Sequence, residues 1–370
     1  MKTLIIVTTL RIGGIERNAL DQAYQISDDS ESSIILVLDE INNYQNVNFL
    51  NLENEIISRK NIDIRFCGVG FRSQIKTVIQ LLTYENLNLV IDNTLSGTLK
   101  TRIASIIARK KIVIHTVVQQ LASLSAPTQR YKRMFYAQFA TTLFINSVNY
   151  GIDWSYHKNR YLLSKILFRK KFYILRNGVY LDRLPIRIKI DETNNVQQAR
   201  FIFLGRLKSW KGINKLNQID EMTNKREKFL IVASEFDDKI TYHYKKLFGD
   251  RIEFIFGKTL TSFTPAPGDI HIYPVDYGEN PPAIESVSTN CLEMAMMGVP
   301  SMVTKGGTNN WLELRHMGVV KEVDWDNSEE LNQVLNQCKH LYLTEKNLKD
   351  IAELIDIKNN LRQHKKYSGL

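Results

Sequence analysis

The chain has 370 residues, of which 44% are hydrophobic and 24% charged, the balance of an ordinary globular protein with enough length for two domains. Three well-separated cysteines, Cys67, Cys291 and Cys338, form no C-x-x-C pair; they argue for reduced thiols in a cytosolic protein and against a zinc site. No apolar run approaches the ~20 residues that a membrane span requires, so the formal net charge of +10 is the feature that asks for a partner.

In chain order, Thr3 to Thr9 reads as a buried strand. MKTLIIVTTLRIGG has the early lysine and short apolar run of a signal peptide, but it lacks a small-residue cleavage site and leads straight into a helical pattern. A helix over Ile15 to Ile26 follows, then a strand over Ser33 to Leu38, a helix over Asn51 to Arg59 and a strand over Ile62 to Cys67. Ser73 to Leu82 is a predicted helix, Leu89 to Asp92 a strand, Thr98 to Ala108 a helix, and Ile112 to Thr116, Leu143 to Asn146 and Phe172 to Leu175 are strands. Apolar strands joined by helical crossovers make a parallel sheet covered on both faces.

The polar stretch IRIKIDETNNVQQAR interrupts the alternation, which then restarts. Strands are predicted over Phe201 to Leu204, Phe229 to Ala233, Ile252 to Phe256, Ile270 to Tyr273 and Pro300 to Val303. Helices are predicted over Ile213 to Met222, Lys239 to Leu247 and Thr289 to Met297. The reading is α/β, with two Rossmann-like domains whose parallel sheets face a central cleft. Residues 1–185 form the first, 186–200 the linker and 201–346 the second, and an amphipathic C-terminal helix over about 347–370 is a candidate to pack back on the first.

Ligands of open parallel sheets bind outside the carboxyl ends of the strands, and three segments stand out there. Gly13 and Gly14 follow the first strand, where they permit close backbone approach or serve only as a turn. In FLGRLKSWKGI, Gly205 turns the chain after a strand, and Arg206 and Lys211 suit a diphosphate. In ESVSTNCLEMAMMG, Glu285 precedes a helix start at Ser286, Val287 and Ser288 whose free amides favour negative charge. Glu293 lies one turn inside, among Met294, Ala295, Met296 and Met297, and a carboxylate there needs a partner. Asp324-Trp325-Asp326 fits a metal-binding Asp-x-Asp, but it precedes Asn327-Ser328-Glu329-Glu330 and reads as helix capping.

From Arg130 to Lys171 the basic residues include Arg130, Lys132, Arg133, Arg169, Lys170 and Lys171, with Asp153 the only acid. Interleaved aromatics make this either a patch for a polyanion, such as acidic lipid headgroups or a phosphorylated acceptor, or a solvated basic face over core aromatics. It matches no nucleic-acid recognition motif.

Together, Glu285-x7-Glu293 before MAMMGVP, Gly13-Gly14-Ile15-Glu16-Arg17, Gly205-Arg206-Leu207 with Lys211-Gly212, and Asn177-Gly178-Val179 with Asp182 resemble, in order, the motifs of retaining nucleotide-sugar glycosyltransferases of family four, which have the GT-B fold. The resemblance covers most of the chain. It implies a nucleotide-diphosphate sugar as donor, with no metal and no cofactor. Arg206 and Lys211 would bind the diphosphate, and Glu293 the ribose. Glu285 and the amides of Ser286 to Ser288 would hold the transferred sugar and distal phosphate, with Gly14 approaching from the facing domain. His115 matches a position where relatives often carry a histidine near the donor sugar, although a lone histidine is equally a structural one. Ser-Val-Ser after Glu285 and Met after Glu293 depart from the usual Gly-Phe-Pro and Ala.

The implied reaction moves a sugar to a glycan acceptor, expected to be lipid-linked, in bacterial-type surface polysaccharide biosynthesis: lipopolysaccharide, capsule or exopolysaccharide. The expected location is cytoplasmic, with peripheral attachment to an anionic inner membrane face. The alternatives are a nucleotide-sugar epimerase of the same fold, whose extra acid and base residues are missing, and a non-catalytic partner in glycan assembly.

Overall fold

The computed structural model describes residues 1–10, 14–38, 59, 61–94, 98–109, 112–117, 136–137, 139–142, 144, 146–152, 162–168, 171–184, 200–207, 211–222, 227–233, 237–256, 265–266, 268–275, 288–305, 312–341 and 343–370. They form two compact units, Met1–Tyr180 with Asp356–Leu370, and Leu181–Ile355.

The first unit holds β1 (Lys2–Val7), β2 (Ser32–Val37), β3 (Ile62–Phe66), β4 (Leu89–Asp92), β5 (Val113–Val117), β6 (Ser147–Ile152) and β7 (Phe172–Leu175). They make one parallel sheet in the order β3-β2-β1-β4-β5-β6-β7. Successive strand residues face opposite sides, so each central strand feeds two cores. Ile5 and Val7 of β1 pack with Ala19, Ala23 and Ile26 of α1 (Gly14–Asp28). Leu4 and Ile6 pack with Val78 and Leu81 of α2 (Phe71–Tyr84) and Ala104 of α3 (Thr98–Ala108). A short α4 (Leu162–Phe168) precedes β7.

The second unit repeats the plan with β8 (Arg200–Leu204), β9 (Lys228–Ala233), β10 (Ile252–Phe256), β11 (Ile270–Tyr273), β12 (Ser301–Thr304) and β13 (Val320–Val323). This sheet is also parallel, ordered β10-β9-β8-β11-β12-β13. Its helices are α5 (Leu216–Met222), α6 (Asp238–Phe248), α7 (Thr289–Met296), α8 (Leu312–His316), α9 (Ser328–Lys339) and α10 (Glu345–Ile355). Phe201 and Phe203 face Leu216, Ile219, Phe248 and Leu335, while Ile202 and Leu204 face Met294 and Met297.

Two predictions need correction. The sixth strand is Ser147–Ile152, not Leu143 to Asn146. Its Ser147 and Asn149 read as polar, yet both are fully buried, and Asn149 accepts from the guanidinium of Arg102 inside the unit. The tail is two helices, α10 and α11 (Ile357–Ser368), broken at Asp356, whose side chain caps α11 by accepting from the Lys358 amide. The break hands the chain from the second unit to the first. The predicted helix Asn51 to Arg59 falls, but for Arg59, outside the described residues, as does the polar linker up to residue 199.

Gly178 explains how the tail returns. A Cβ there would stand 2.5 Å from the Cα of Ile357, so only glycine lets α11 begin against it. The Ile357 amide donates to the Val179 carbonyl at 3.1 Å, and Ile357 and Leu361 then fill the core beside α1.

Candidate active site

In both sheets the strand order reverses beside the first strand of the unit, at β1/β4 and at β8/β11. Such a switch point opens a crevice at the carboxyl ends of the strands. The second unit places charged groups there.

After β8, the Gly205 amide donates to the Val232 carbonyl at 3.0 Å, and Gly205 has φ 142. Arg206 is exposed, while Leu207 anchors the loop in the core. The loop returns at Lys211-Gly212. Gly212 has φ 72, and a Cβ on it would come within 1.7 Å of the Pro274 carbonyl oxygen; both observations require glycine. This close approach seats Lys211 over the end of β11. Its Nζ donates to Tyr273 Oη at 3.1 Å and lies 5.1 Å from the centre of that ring. Lys211 therefore stands at the end of β11, one of the two strands that flank the switch point. Tyr273, the partner of Lys211, has one signal in the sequence, an aromatic closing a strand just before Pro274.

α7 starts at the same place. Asn290, in its first turn, donates to the Leu204 carbonyl at 3.1 Å and ties the helix start to the end of β8. Its N-cap Ser288 makes no side-chain capping bond. Arg206 and the amino end of α7 thus lie at the end of β8, and Lys211 at the end of its neighbour β11. Glu285, Ser286 and Val287 lie outside the described residues.

Glu293 is fully buried, and its Oε1 accepts from Arg183 Nη2 at 2.7 Å. The Arg183 side chain is 7% exposed. The partner this carboxylate needs is therefore in the protein itself. Arg183 ends a single 3-10 turn, Leu181–Arg183, one residue beyond the Asp182 of the sequence motif.

In the first unit, Gly14 opens α1, and Gly13 lies outside the described residues. His115 is the middle residue of β5 and fully buried. Its Nδ1 is 2.9 Å from Tyr173 Oη and its Nε2 2.6 Å from Ser368 Oγ. Tyr173 Oη also meets His364 Nδ1 at 2.7 Å. Burial pushes His115 down to about 3 and His364 well below the usual imidazole range. The histidine offered by the sequence as a donor-side group is thus engaged at both ring nitrogens by the sheet and α11.

Arg130, Lys132, Arg133, Arg169 and Lys170 lie outside the described residues. Lys171 Nζ donates to the Thr142 carbonyl at 3.3 Å. Tyr136, Phe144 and Ile166, from the same stretch, are exposed apolar side chains. Asn327 caps α9, and Asp326 accepts from Lys215 and Gln218 at 2.6 and 3.0 Å. Among the described residues no group of three or more His, Cys, Asp or Glu could hold a metal ion, and no helix is long and apolar enough to cross a membrane.

Two doubly wound parallel units in one chain define the GT-B architecture, and solved structures share it. The Anabaena protein Alr3699/HepE, in complex with UDP, superposes with a TM-score of 0.69 at 17% identity over 100% of both chains. A glycosyltransferase from Rickettsia africae does so with a TM-score of 0.70 at 16% identity, over 99% of this chain and 98% of that one. The lipopolysaccharide outer core galactosyltransferase WaaB, without ligand, gives 0.59 at 13% identity over 100% of both. At these identities the likeness is one of fold. No protein-family model matches the chain, and no curated protein sequence does.

Proposed function

We propose that this protein is a retaining glycosyltransferase that moves a sugar from a nucleotide-diphosphate donor to a lipid-linked glycan acceptor in bacterial-type surface polysaccharide biosynthesis. The observation that carries the reading is Lys211, held by Gly212 and Tyr273 at the end of β11, the neighbour of the strand β8 to whose end Asn290 ties the start of α7. The GT-B neighbours support it: Alr3699/HepE has been solved with UDP and with UDP-glucose, and WaaB is named for lipopolysaccharide core assembly.

In the proposed reaction the bond from the anomeric carbon to the distal phosphate oxygen breaks, and negative charge grows on that oxygen. Arg206, Lys211 and the first amides of α7 offset this charge without reorganising, which is where electrostatic catalysis acts most strongly. The acceptor hydroxyl forms its bond to the anomeric carbon from the leaving-group face, and its proton passes to the departing phosphate oxygen. Glu285 holds the transferred sugar, and Glu293 binds the ribose. The reaction needs no metal in this scheme, since protein cations and helix amides supply the positive charge.

Lipid-linked acceptors lie at a membrane surface. The exposed Tyr136, Phe144 and Ile166, within a stretch whose basic residues outnumber its single acid, suit peripheral attachment to anionic lipid at the cytoplasmic face.

The test is a thermal-shift screen of uridine, guanosine and adenosine diphosphates and their sugars, followed by nucleotide release from the sugar that stabilises the protein. Acceptor-dependent release with an unchanged anomeric configuration supports the reading. Epimerised donor without transfer returns it to an epimerase. Vesicle flotation with anionic lipid should show binding that raised salt weakens; protein that stays in solution at every salt concentration removes the membrane component.

A further inference from the structure

The Arg183–Glu293 pair is built more carefully than a donor-binding carboxylate alone would require. Glu293 belongs to α7, the helix whose start Asn290 fastens to β8. Glu293 is itself fully buried, and a carboxyl group taken out of water needs a partner within the protein. Arg183 supplies it from the 3-10 turn Leu181–Arg183, at the first residues of the second unit. The contact involves Oε1. A planar guanidinium fixes the plane of the carboxylate in a way that a mobile ammonium does not.

We infer that Arg183 is a positioning residue for nucleotide ribose: it holds Glu293 oriented so that the carboxylate discriminates a ribose diol from its deoxy counterparts. This rests on the assignment of Glu293 to the ribose. Arg183 touches no reacting atom in this scheme. Its effect should show in how strongly the protein prefers ribose over deoxyribose, and not in how it binds phosphate.

The test uses the full chain and titrates it with the nucleoside diphosphate it binds best, that nucleotide's 2′,3′-dideoxy analogue, and inorganic pyrophosphate. The wild type should prefer the ribose form by about tenfold or more, the scale of hydrogen bonds to a charged group. In Arg183→Met that ratio should fall towards one while pyrophosphate affinity stays within about twofold of wild type. Arg183→Lys, which keeps the charge and loses the planar fork, should keep part of the ratio. It also decides the matter should Arg183→Met fail to fold, because the buried carboxylate then still has a cation. A full wild-type ratio in Arg183→Lys and in any folded Arg183→Met overturns the inference. A wild type that binds a nucleotide with no ribose preference overturns the assignment of Glu293 instead. A wild type that binds no nucleoside diphosphate at all overturns the proposed function.

Discussion

The two units share one order over six strands, to which the first adds a seventh, and they treat their interiors differently. In the first, a chain of buried polar side chains beside the switch point bonds within the unit. Tyr150 Oη donates to Asn93 Oδ1 at 2.8 Å, Asn93 Nδ2 to Gln22 at 3.2 Å, and Gln22 to Asn360 of α11 at 2.9 Å. His115, Tyr173, His364 and Ser368 close the same interior from the other strands and the tail. In the second, the loop after β8 leaves Arg206 exposed, and Lys211 is held over a strand end by a tyrosine. A Rossmann-like sheet supplies only the crevice; whether it becomes core or site depends on what the loops bring to it.

The largest expected effect tests the cationic side of that contrast. Lys211→Ala should lower turnover by ~10²–10³-fold, the usual cost of removing one group that stabilises developing charge. Glu293→Gln should instead weaken donor binding. Unchanged kinetics in both variants would move the site away from the β8/β11 switch point.

On the closed side, Ile357→Ala removes a fully buried side chain at the start of α11 and should cost the first unit about 2–5 kcal/mol. Urea unfolding followed by hydrogen exchange should show the loss in α1, β1 and α11 peptides first. An equal loss in α7 and β11 peptides would mean the units do not unfold separately.

Much of this contrast was hidden in the sequence, for identifiable reasons. The strands were legible because buried parallel strands such as LIIV and FLIVA are continuous apolar runs. Ser147–Ile152 was not, because its buried Ser147 and Asn149 look like loop, and only the fold shows Asn149 bonded to Arg102. Arg206, Lys211, Glu285 and Glu293 stood out because charge next to glycine or an apolar helix is conspicuous. Arg183 and Tyr273 did not, since one looks like any surface arginine and the other like any strand tyrosine. Each acquires meaning only from a partner 110 or 62 residues away. The Asn177-Gly178 pair was visible as a motif, but its use as the landing point of α11 depends on backbone proximity that spacing cannot convey.

Acid should separate the units next. His115 and His364 in the first unit and His271 in the second are buried, His115 and His271 being held down to about 3. Between the unfolded value near 6.5 and these folded values the unfolded chain binds more protons, so stability is complete above pH 6.5 and falls as pH drops. The slope is about 1.4 kcal/mol per pH unit for each such histidine. The first unit should therefore lose stability roughly twice as steeply as the second. Asp92, raised by burial in the first unit, acts in the opposite sense, because the folded chain holds its proton to higher pH than the unfolded chain does. The slope is accordingly read as the difference between wild type and His364→Gln in urea titrations at pH 7, 6 and 5. Identical slopes would show that the buried imidazoles do not set the acid limb.

The smallest expected effect separates holding a cation from hosting one. Tyr273→Phe deletes the hydroxyl 3.1 Å from Lys211 Nζ and keeps the ring beneath it. The ammonium retains its attraction to the aromatic face and its backbone seat at Gly212, so it loses one hydrogen bond of about 1 kcal/mol. The ratio kcat/KM should fall about fivefold, with little change in the unfolding midpoint. Should Tyr273→Phe instead match the loss in Lys211→Ala, the hydroxyl would be fixing where the charge sits. The site at β8/β11 would then work only when the ammonium is pinned, just as Glu293 is pinned by Arg183.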